Sequence, residues 1–201
     1  MTLLYLIRHA RSTWNAEGRW QGHADPPLDP AGCEQAEALA RQLRGEPLAA
    51  IYSSPLARAR QTAEAVARVQ GLPVRLDERL KERHVGAWSG LTEAEVRARY
   101  PEQFRPDWWV LGPPGGEGQA ALQARTLAAW HEILAAHPEA TVAIVSHGGS
   151  LNAGLAGLIG LPFGQPVSFR FGNATFARLT VHGERIHLLS LGDAPSAGAP
   201  A

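Results

Sequence analysis

The chain has 201 residues, with 19 Lys and Arg against 19 Asp and Glu, so its formal net charge is zero. That length is close to one ordinary domain, and the balanced charge argues against nucleic-acid and membrane-surface proteins, which need a basic excess. A single cysteine excludes an intrachain disulfide, a CxxC redox pair and a Cys-built zinc site. Because no apolar stretch is long enough for a signal peptide or a membrane helix, a cytoplasmic protein is expected.

Strand-like and helix-like segments alternate along the chain. Short apolar or β-branched runs predict strands at residues 3–7, 48–52, 74–76, 141–145, 167–171, 174–181 and 185–191, the last two as a hairpin around His182-Gly183. Helices are predicted from Asp29-Pro30 to Arg44, from Ser54-Pro55 to Gly71, and over 92–100, 117–137 and 149–160. This alternation predicts an α/β fold, a three-layer α/β/α sandwich with a mostly parallel sheet and helices on both faces.

The chain is predicted to form one domain over residues 1–191. Residues 80–117 are irregular and rich in Trp, Pro and Gly, and they are interpreted as an excursion over one end of the sheet. Residues 192–201 carry only small, turn-forming side chains and one charge, which predicts a flexible tail. In the longest predicted helix, the apolar stripe is expected to consist of Leu127, Trp130 and Leu134.

Charged side chains follow four of the predicted strands at the point where each strand ends. Arg8 and His9 follow the first strand, and Arg58 lies in the first turn of the helix after the second. Glu82 follows the third strand, and His147 follows the fourth. Because ligands of open α/β sheets bind beyond the carboxyl ends of the strands, these five side chains are expected to meet at one edge. Guanidinium groups bind phosphate oxygens bidentately, so the set favours phosphoryl transfer.

The residues after His147 add a second phosphate-binding feature. Gly148 and Gly149 allow the backbone to approach a ligand closely, and the helix that follows turns its free N–H groups toward the strand ends, where they form an anion site. The charges of Arg8 and Arg58 should disfavour the imidazolium form of a neighbouring histidine and so keep its ring neutral near neutral pH.

Five ordered blocks of the sequence resemble the histidine phosphatase superfamily, also called the phosphoglycerate mutase-like superfamily. The blocks are RHA at 8–10 with Ser12, Trp14 and Asn15; GRWQG at 18–22 with DPPL at 25–28; SSPL at 53–56 with Arg58, Ala59, Gln61 and Thr62; Leu80, Glu82, Gly86, Trp88 and Gly90 with PPGGE at 113–117; and VSHGG at 145–149. The RHA block resembles the family's RHG signature. The matches run from residue 3 to about 181, which is nearly the whole chain.

The resemblance implies a phosphoglycerate mutase-like fold and a role for each matching residue. His9 is implied to be the nucleophile that becomes phosphohistidine, and Glu82 the general acid that protonates the leaving oxygen and then activates water. The other implied catalytic groups, which hold the phosphoryl oxygens, are Arg8, Arg58 and His147. The residues predicted to bind the substrate are Asn15, Gln21, Gly22 and Gly148. No metal ion or other cofactor is expected, and the eight histidines include no HExxH motif.

Three positions depart from the family pattern. Ala10 replaces the usual glycine, Arg11 stands where an acidic or amide residue is common, and Gly118 stands where serine is common. Arg11 is expected to add positive charge near the entrance of the site, and Gly118 removes a possible hydroxyl contact. The excursion also carries a tryptophan cluster, interpreted either as an aromatic-lined mouth or as packing of a loop, made of Trp88, Trp108 and Trp109.

The predicted function is the metal-independent hydrolysis of a small-molecule phosphomonoester by a monomer or homodimer without nucleic-acid or membrane partners. A cofactor-dependent phosphoglycerate mutase is the alternative, because mutases share the catalytic residues; residues 80–109 lack the longer basic insertion of the mutases, which favours hydrolysis. A non-catalytic module that binds phosphorylated ligands is a more distant alternative, and the presence of His9 and Glu82 argues against it. A serine hydrolase would need a GxSxG elbow, which the sequence does not contain.

Overall fold

A six-stranded sheet forms the centre of the protein, described here from a computed structural model for residues 1–161 and 169–193. The strands are β1 (Thr2–Arg8), β2 (Leu48–Ser53), β3 (Val74–Leu76), β4 (Thr141–Ser146), β5 (Phe176–His182) and β6 (Arg185–Asp193), in the spatial order β3-β2-β4-β1-β5-β6. Strands β1 to β4 pair in parallel, whereas β5 and β6 form an antiparallel hairpin that adds to the edge of β1. The predicted α/β sandwich with a mostly parallel sheet is confirmed.

Seven helices connect these strands within the described residues. They are α1 (Thr13–Ala16), α2 (Pro30–Gln42), α3 (Ala57–Gln70), α4 (Glu93–Arg99), α5 (Trp108–Leu111), α6 (Gln119–Ala136) and α7 (Gly148–Leu158), with 3₁₀ turns at Glu78–Leu80 and Gly86–Trp88. The Asp29 side chain caps α2 by accepting a 2.7 Å hydrogen bond from the Gly32 N–H, and Gly71 ends α3 at φ +66°. None of the described helices is both long and apolar enough to cross a membrane.

The two faces of the sheet bury alternate residues of each strand. On β1, Tyr5 and Ile7 pack into the hydrophobic layer under α2 and α3, whereas Leu4 and Leu6 pack into the layer under α6 and α7. All four side chains are essentially inaccessible to solvent. A strand that is buried on both faces needs a continuous apolar run, which explains why this segment shows no polar alternation.

The carboxyl ends of the three central strands reach the same edge of the sheet. In the parallel register, Arg8 pairs with Ser146 and Ser53 pairs with Val145, so β1, β2 and β4 end at one level. His9 and His147 therefore leave the sheet side by side. This edge is where residues from distant parts of the chain can meet around one ligand.

The segment between β3 and α6 builds a small hydrophobic core of its own beyond that edge. The ring of Trp88 is completely buried, and it packs at 5.6 Å from Trp20, 5.1 Å from Trp108 and 5.3 Å from Phe104 between ring centroids. Gly86, at φ +49°, approaches the backbone around Pro114 so closely that any side chain there would collide with it. These contacts give an irregular segment a defined position above the strand ends.

Several predicted boundaries were wrong in detail. Helix α3 begins at Ala57 with Leu56 as its N-cap, because the Ser54 hydroxyl bonds to the Leu56 N–H and to His147 instead of capping a helix at 54. On α6, Leu127 and Leu134 are only partly buried. The stripe that faces the core there is Leu122, Thr126, Ala129, Trp130 and Ile133.

The predicted strand 167–171 also differs from the structure. Residues 169–171 are not in a strand, and residues 167 and 168 lie outside the described part of the chain. At the other end of the hairpin, β6 continues to Asp193, two residues past the predicted end of the strand. Residues 194–201, the rest of the predicted tail, lie outside the described residues.

Replacing Gly154 by Ala tests the packing of α7 on α6. A Cβ atom at Gly154 would lie 2.6 Å from the Trp130 ring and 2.8 Å from the Thr126 methyl group, both of which are buried. We expect Gly154→Ala to lower the free energy of unfolding by about 1–3 kcal/mol in chemical denaturation. Gly45→Ala is the control, because a Cβ there meets no atom within 4 Å. Equal unfolding free energies for the two variants would contradict this account of the helix interface.

Candidate active site

A cavity of about 360 Å³ opens at the carboxyl edge of the sheet. It combines cationic, carboxylate and aromatic side chains, most of which come from β1, the loop after it and the segment before α6. The lining residues are Arg8, His9, Trp14, Asn15, Gly18, Arg19, Trp20, Gln21, Gly22, Arg58, Glu82, Arg83, Val85, Glu93, Trp108 and Gly149. Seven of the nine residues predicted to form the site are therefore brought to one cavity.

One ring nitrogen of His9 forms a hydrogen bond to the backbone, and the other keeps a free lone pair. Its backbone N–H donates to the Ser146 carbonyl at 3.0 Å, and its Nδ1 lies 2.7 Å from the Ala10 carbonyl oxygen. A carbonyl oxygen can only accept, so Nδ1 carries the proton and Nε2 keeps its lone pair. Burial lowers the pKa of His9 well below its ordinary value, and the charges of Arg58 and Arg8 lower it further. The ring is thus neutral and can act as a nucleophile at neutral pH.

His147 lies directly behind His9, with ring centroids 5.0 Å apart. Its Nε2 is 2.8 Å from the Ser54 hydroxyl, while its Nδ1 is buried without a hydrogen-bond partner among the described residues. Burial lowers the pKa of His147 well below its usual range, and Arg58 and His9 add to that effect. His147 does not line the cavity, although the sequence predicts that it holds phosphoryl oxygens. Its position supports the His9 ring from behind.

Arg8 and Arg58 are buried cations that backbone carbonyl groups hold in place. Arg8 donates to the Phe171 carbonyl at 2.7 Å, and Arg58 donates to the carbonyls of Ala24 and Gly22, both at 2.9 Å. Burial lowers the pKa of both guanidinium groups, that of Arg58 to about 10, so both stay charged at neutral pH. Within residues 1–161 and 169–193 neither forms an ion pair, and the Nε of each lacks a hydrogen-bond partner. Two cations without a bound carboxylate form a site for a dianion.

Glu82 occupies the helix terminus that the sequence predicts as a phosphate site. Its carboxylate accepts hydrogen bonds from the backbone N–H groups of Gly149 and Ser150 at the start of α7, both at 3.1 Å, and from that of Arg83 at 2.7 Å. A carboxylate at a helix N-terminus is stabilised by the free N–H groups and by the helix dipole. The α7 terminus therefore holds a carboxylate that lines the same cavity as His9.

The remaining predicted residues take different positions. Asn15 Oδ1 accepts from the Ser12 N–H at 3.1 Å and from the Ser12 hydroxyl at 3.0 Å, and no described residue accepts a hydrogen bond from Asn15 Nδ2. Gln21 Oε1 lies 2.8 Å from the same hydroxyl, so the two amide oxygens share its single proton. Gly22, at φ +52°, lies so close to the Val85 backbone that no side chain fits there. Gly148 does not line the cavity; it lies under the Arg8 guanidinium.

The positions that depart from the family pattern lie away from the cavity. Arg11 does not extend toward the entrance, because its Nε forms a 2.7 Å ion pair with Asp29. Gly118 is the N-cap of α6, where a Cβ would lie 3.0 Å from the Val110 and Leu111 carbonyl oxygens, so no hydroxyl contact with the cavity is lost. Of the tryptophan cluster, Trp108 lines the cavity, Trp88 is buried behind it and Trp109 does not reach it.

Several lining residues were not predicted as site residues. They share no single chemistry: they are Trp14, Gly18, Arg19, Trp20, Arg83, Val85 and Glu93. Three of them could have been predicted from the sequence, because they lie next to Asn15 and Gln21 in the blocks that carry the resemblance: Trp14, Arg19 and Trp20. Arg83 and Glu93 reach the cavity through the path of an irregular segment, which residue patterns do not predict.

No metal-ligand cluster accompanies these residues. In the part of the chain that the structure describes, no three His, Cys, Asp or Glu side chains are placed to hold a metal ion together. The expectation of a reaction without a metal stays a prediction.

The sequence and the structure are both similar to known phosphatases. The model of the histidine phosphatase superfamily (branch 1) matches residues 4–194. Phosphoserine phosphatase 1 of Hydrogenobacter thermophilus is 38% identical over 196 residues, which cover 95% of this chain and 92% of that protein. Glucosyl-3-phosphoglycerate phosphatase of Mycolicibacterium vanbaalenii is 38% identical over 191 residues, which cover 89% of this chain and 84% of that protein.

A solved structure supports the same relationship. The mycobacterial glucosyl-3-phosphoglycerate phosphatase in complex with VO3 superposes with a TM-score of 0.88 at 33% identity, covering 96% of this chain and 99% of that chain.

A sequence relative carries a different name. A chain of Photorhabdus laumondii named "Probable phosphoglycerate mutase" is 33% identical over 185 residues, covering 89% of this chain and 85% of that protein.

The buried, neutral histidines should make stability depend on pH. An unfolded histidine takes up a proton near pH 6.5, whereas His147 in the folded protein does not, so stability is present above that pH and is lost as the pH falls below it. Between pH values of about 7.5 and 5.5 this one group contributes a loss on the order of 1 kcal/mol in the free energy of unfolding. We expect His147→Gln, which keeps a partner for Ser54, to lose that much less than the wild type.

This expectation is checked by chemical denaturation of both proteins in phosphate-free buffer at the two pH values. His131→Gln is the control, because His131 is exposed on α6 and should leave the pH dependence of the wild type unchanged. Parallel pH profiles for the wild type and His147→Gln would contradict this account, because they would show that His147 binds protons equally in the folded and unfolded states.

Proposed function

The chain belongs to the histidine phosphatase superfamily and is a phosphatase, and from that premise we propose that it hydrolyses small phosphomonoesters through a phosphohistidine intermediate on His9. The observation that carries the proposal is the state of His9: Nδ1 is bonded to the Ala10 carbonyl, and the ring is neutral at the wall of a cationic cavity. A neutral imidazole with a free Nε2 is the form that attacks phosphorus.

In the first step, the phosphate group of the substrate binds beside Arg8 and Arg58. Glu82 takes up a proton from solvent when the phosphate dianion binds. His9 Nε2 attacks phosphorus while the bond between phosphorus and the ester oxygen breaks, and Glu82 gives that proton to the oxygen. An alcohol leaves, and the phosphoryl group stays on His9. The two guanidinium groups act on charge that is spread over the phosphoryl oxygens in the transition state, so positioning and electrostatics supply most of the rate enhancement.

In the second step, Glu82 acts as a general base. The carboxylate left by the first step takes a proton from a water molecule, whose oxygen attacks the phosphoryl group. The bond between His9 Nε2 and phosphorus breaks, inorganic phosphate leaves, and both His9 and Glu82 return to their starting states. The amides of Gly149, Ser150 and Arg83 hold the carboxylate at the cavity wall for this exchange.

The lining of the cavity supports a small, polar substrate whose leaving group carries charge. Arg19 and Arg83 supply positive charge and Glu93 negative charge, while Trp20 and Trp108 supply flat apolar surfaces. Phosphoserine and glucosyl-3-phosphoglycerate are the first candidates, since relatives carry those substrates in their names. We place the enzyme in the cytoplasm, where its single cysteine, Cys33, would stay reduced, and as a monomer or homodimer.

Phosphoglycerate mutase activity is the second candidate, because the Photorhabdus laumondii relative is named for it. A mutase would interconvert 2- and 3-phosphoglycerate with little phosphate release, whereas a phosphatase releases phosphate. A coupled assay for interconversion, run beside an assay for phosphate, separates the two activities. A non-catalytic binding module is set aside, since the chain is an enzyme by its relatives.

Replacing His9 by Ala should remove the activity. We expect a loss of roughly 10³–10⁶-fold in kcat against a panel of small phosphomonoesters without added metal, because the nucleophile is absent. His131→Ala, which changes an exposed histidine on α6, is the matched control and should keep full activity.

The same variants test the intermediate. Rapid quenching with ³²P-labelled substrate should trap an acid-labile, alkali-stable phosphoenzyme in the wild type and in His131→Ala but not in His9→Ala. A phosphoenzyme that is still trapped in His9→Ala, or activity that remains in this variant, would contradict the assignment of His9 as the nucleophile.

A further inference from the structure

The backbone that carries Glu82 is held by one arginine from α6. Arg125 Nη1 donates to the carbonyl oxygens of Arg79 and Lys81, both at 2.7 Å, and Arg125 Nη2 donates to the carbonyl of Glu82 at 2.8 Å. One side chain thus binds three of four successive carbonyls. The fourth, that of Leu80, accepts from the Ser146 hydroxyl at 2.8 Å.

This part of the chain has no regular structure to satisfy its polar groups. It begins inside the short 3₁₀ turn Glu78–Leu80, and Lys81 and Glu82 lie in neither a helix nor a strand. Buried backbone carbonyls need partners, and here they are supplied by side chains. Two further donors support the same stretch: the Ser150 hydroxyl lies 2.6 Å from the Lys81 carbonyl, and His23 Nε2 lies 2.8 Å from the Glu82 carbonyl. Arg125 is the donor with the most contacts.

Glu117 in turn fixes the orientation of Arg125. The two side chains form a bidentate pair, with Nε to Oε1 and Nη2 to Oε2 both at 2.7 Å. Burial would raise the pKa of Glu117, but the hydrogen bonds and charge of Arg125 outweigh it and hold that pKa below its usual value. Backbone bonds anchor Glu117 beside the same segment, because its N–H donates to His84 and its carbonyl accepts from Arg83.

Arg125 has no direct access to the reaction, since neither it nor Glu117 lines the cavity. Its influence on Glu82 passes through the backbone. The carboxylate of Glu82 is bound by α7 amides at one end of the side chain, and Arg125 binds the backbone at the other end. A general acid must be placed to within a fraction of an ångström to transfer its proton in the transition state.

We propose that Arg125, oriented by Glu117, is a positioning residue that holds Glu82 where it protonates the leaving oxygen. This inference rests on the proposed role of Glu82 as the general acid. If Arg125 is lost, the segment keeps its covalent path and its serine contacts but loses the hydrogen bonds to the carbonyls of Arg79, Lys81 and Glu82. Proton transfer to the leaving group should then fail, whereas phosphate binding by Arg8 and Arg58 should remain.

The test compares two leaving groups. An alkyl phosphate needs a proton on its leaving oxygen, whereas 2,4-dinitrophenyl phosphate releases a stable phenolate without one. We expect Arg125→Met to lower kcat/KM for the alkyl phosphate by about 10²-fold and to change kcat/KM for 2,4-dinitrophenyl phosphate little. The ratio kcat/KM covers the steps up to release of the alcohol, so a slow hydrolysis of phosphohistidine does not enter it.

Four further variants complete the experiment: Glu117→Gln, Arg68→Met, Glu82→Gln, and the double variant Arg125→Met/Glu82→Gln. Glu117→Gln keeps the size of the side chain and removes the charge that orients Arg125, so it should show the same selective loss in a smaller degree; it also replaces Arg125→Met in the comparison if that variant does not fold. Arg68→Met is the matched control, because Arg68 forms an exposed bidentate pair with Glu37 between α3 and α2 and should leave both substrates unaffected. The double variant Arg125→Met/Glu82→Gln should be no slower on the alkyl phosphate than Glu82→Gln alone.

The outcomes separate the two levels of the argument. If Glu82→Gln loses activity equally on both substrates, Glu82 is not the general acid and the proposed function fails with it. A second outcome is that Glu82→Gln loses activity only on the alkyl phosphate, while Arg125→Met and Glu117→Gln lose activity on both substrates equally or on neither. In that case only the positioning role of Arg125 is overturned. Selective losses in Glu82→Gln, Arg125→Met and Glu117→Gln support both.

Discussion

The hydrogen bond between His9 Nδ1 and the Ala10 carbonyl is the constraint on which the site depends. It decides which ring nitrogen is free. The pairing of β1 with β4 fixes the backbone before the ring as far as Arg8, and the Thr62 hydroxyl accepts from the Ala10 N–H at 3.0 Å after it. The Ser146 carbonyl holds the His9 N–H, and His147 packs behind the ring at 5.0 Å. A parallel sheet thus determines the chemical state of an imidazole at its edge, before any ligand is bound.

The buried charges of Arg8 and Arg58 around that ring prepare the cavity for a phosphate dianion. Arg8 and Arg58 are buried without ion pairs in the described chain, a state that costs free energy and that backbone carbonyl bonds only partly offset. A bound phosphate dianion supplies the missing negative charge, so binding and the stabilisation of the transition state use the same two groups. Glu82 is kept apart from both by the amides of α7.

The sequence predicts what depends on strand ends and local caps, and it does not predict what depends on the path of long loops. His9, Arg58 and His147 could be placed together because each follows a strand or its connecting turn, and parallel strands share an edge. The attachment of Glu82 to the α7 terminus and the hold of Arg125 on its backbone join residues that are about 40 to 70 positions apart. Hydrophobic periodicity does not predict such contacts, because they depend on how an irregular segment packs against helices that are distant in sequence.

The most direct test of the account is a long-range ¹H–¹⁵N spectrum of the histidine rings in the free enzyme, with His9 assigned by the loss of its signals in His9→Ala. At neutral pH the account predicts a protonated Nδ1 and an unprotonated Nε2, a state that persists below the ordinary pKa of histidine, near 6.5. A doubly protonated ring at neutral pH, or a ring that carries its proton on Nε2, would contradict it.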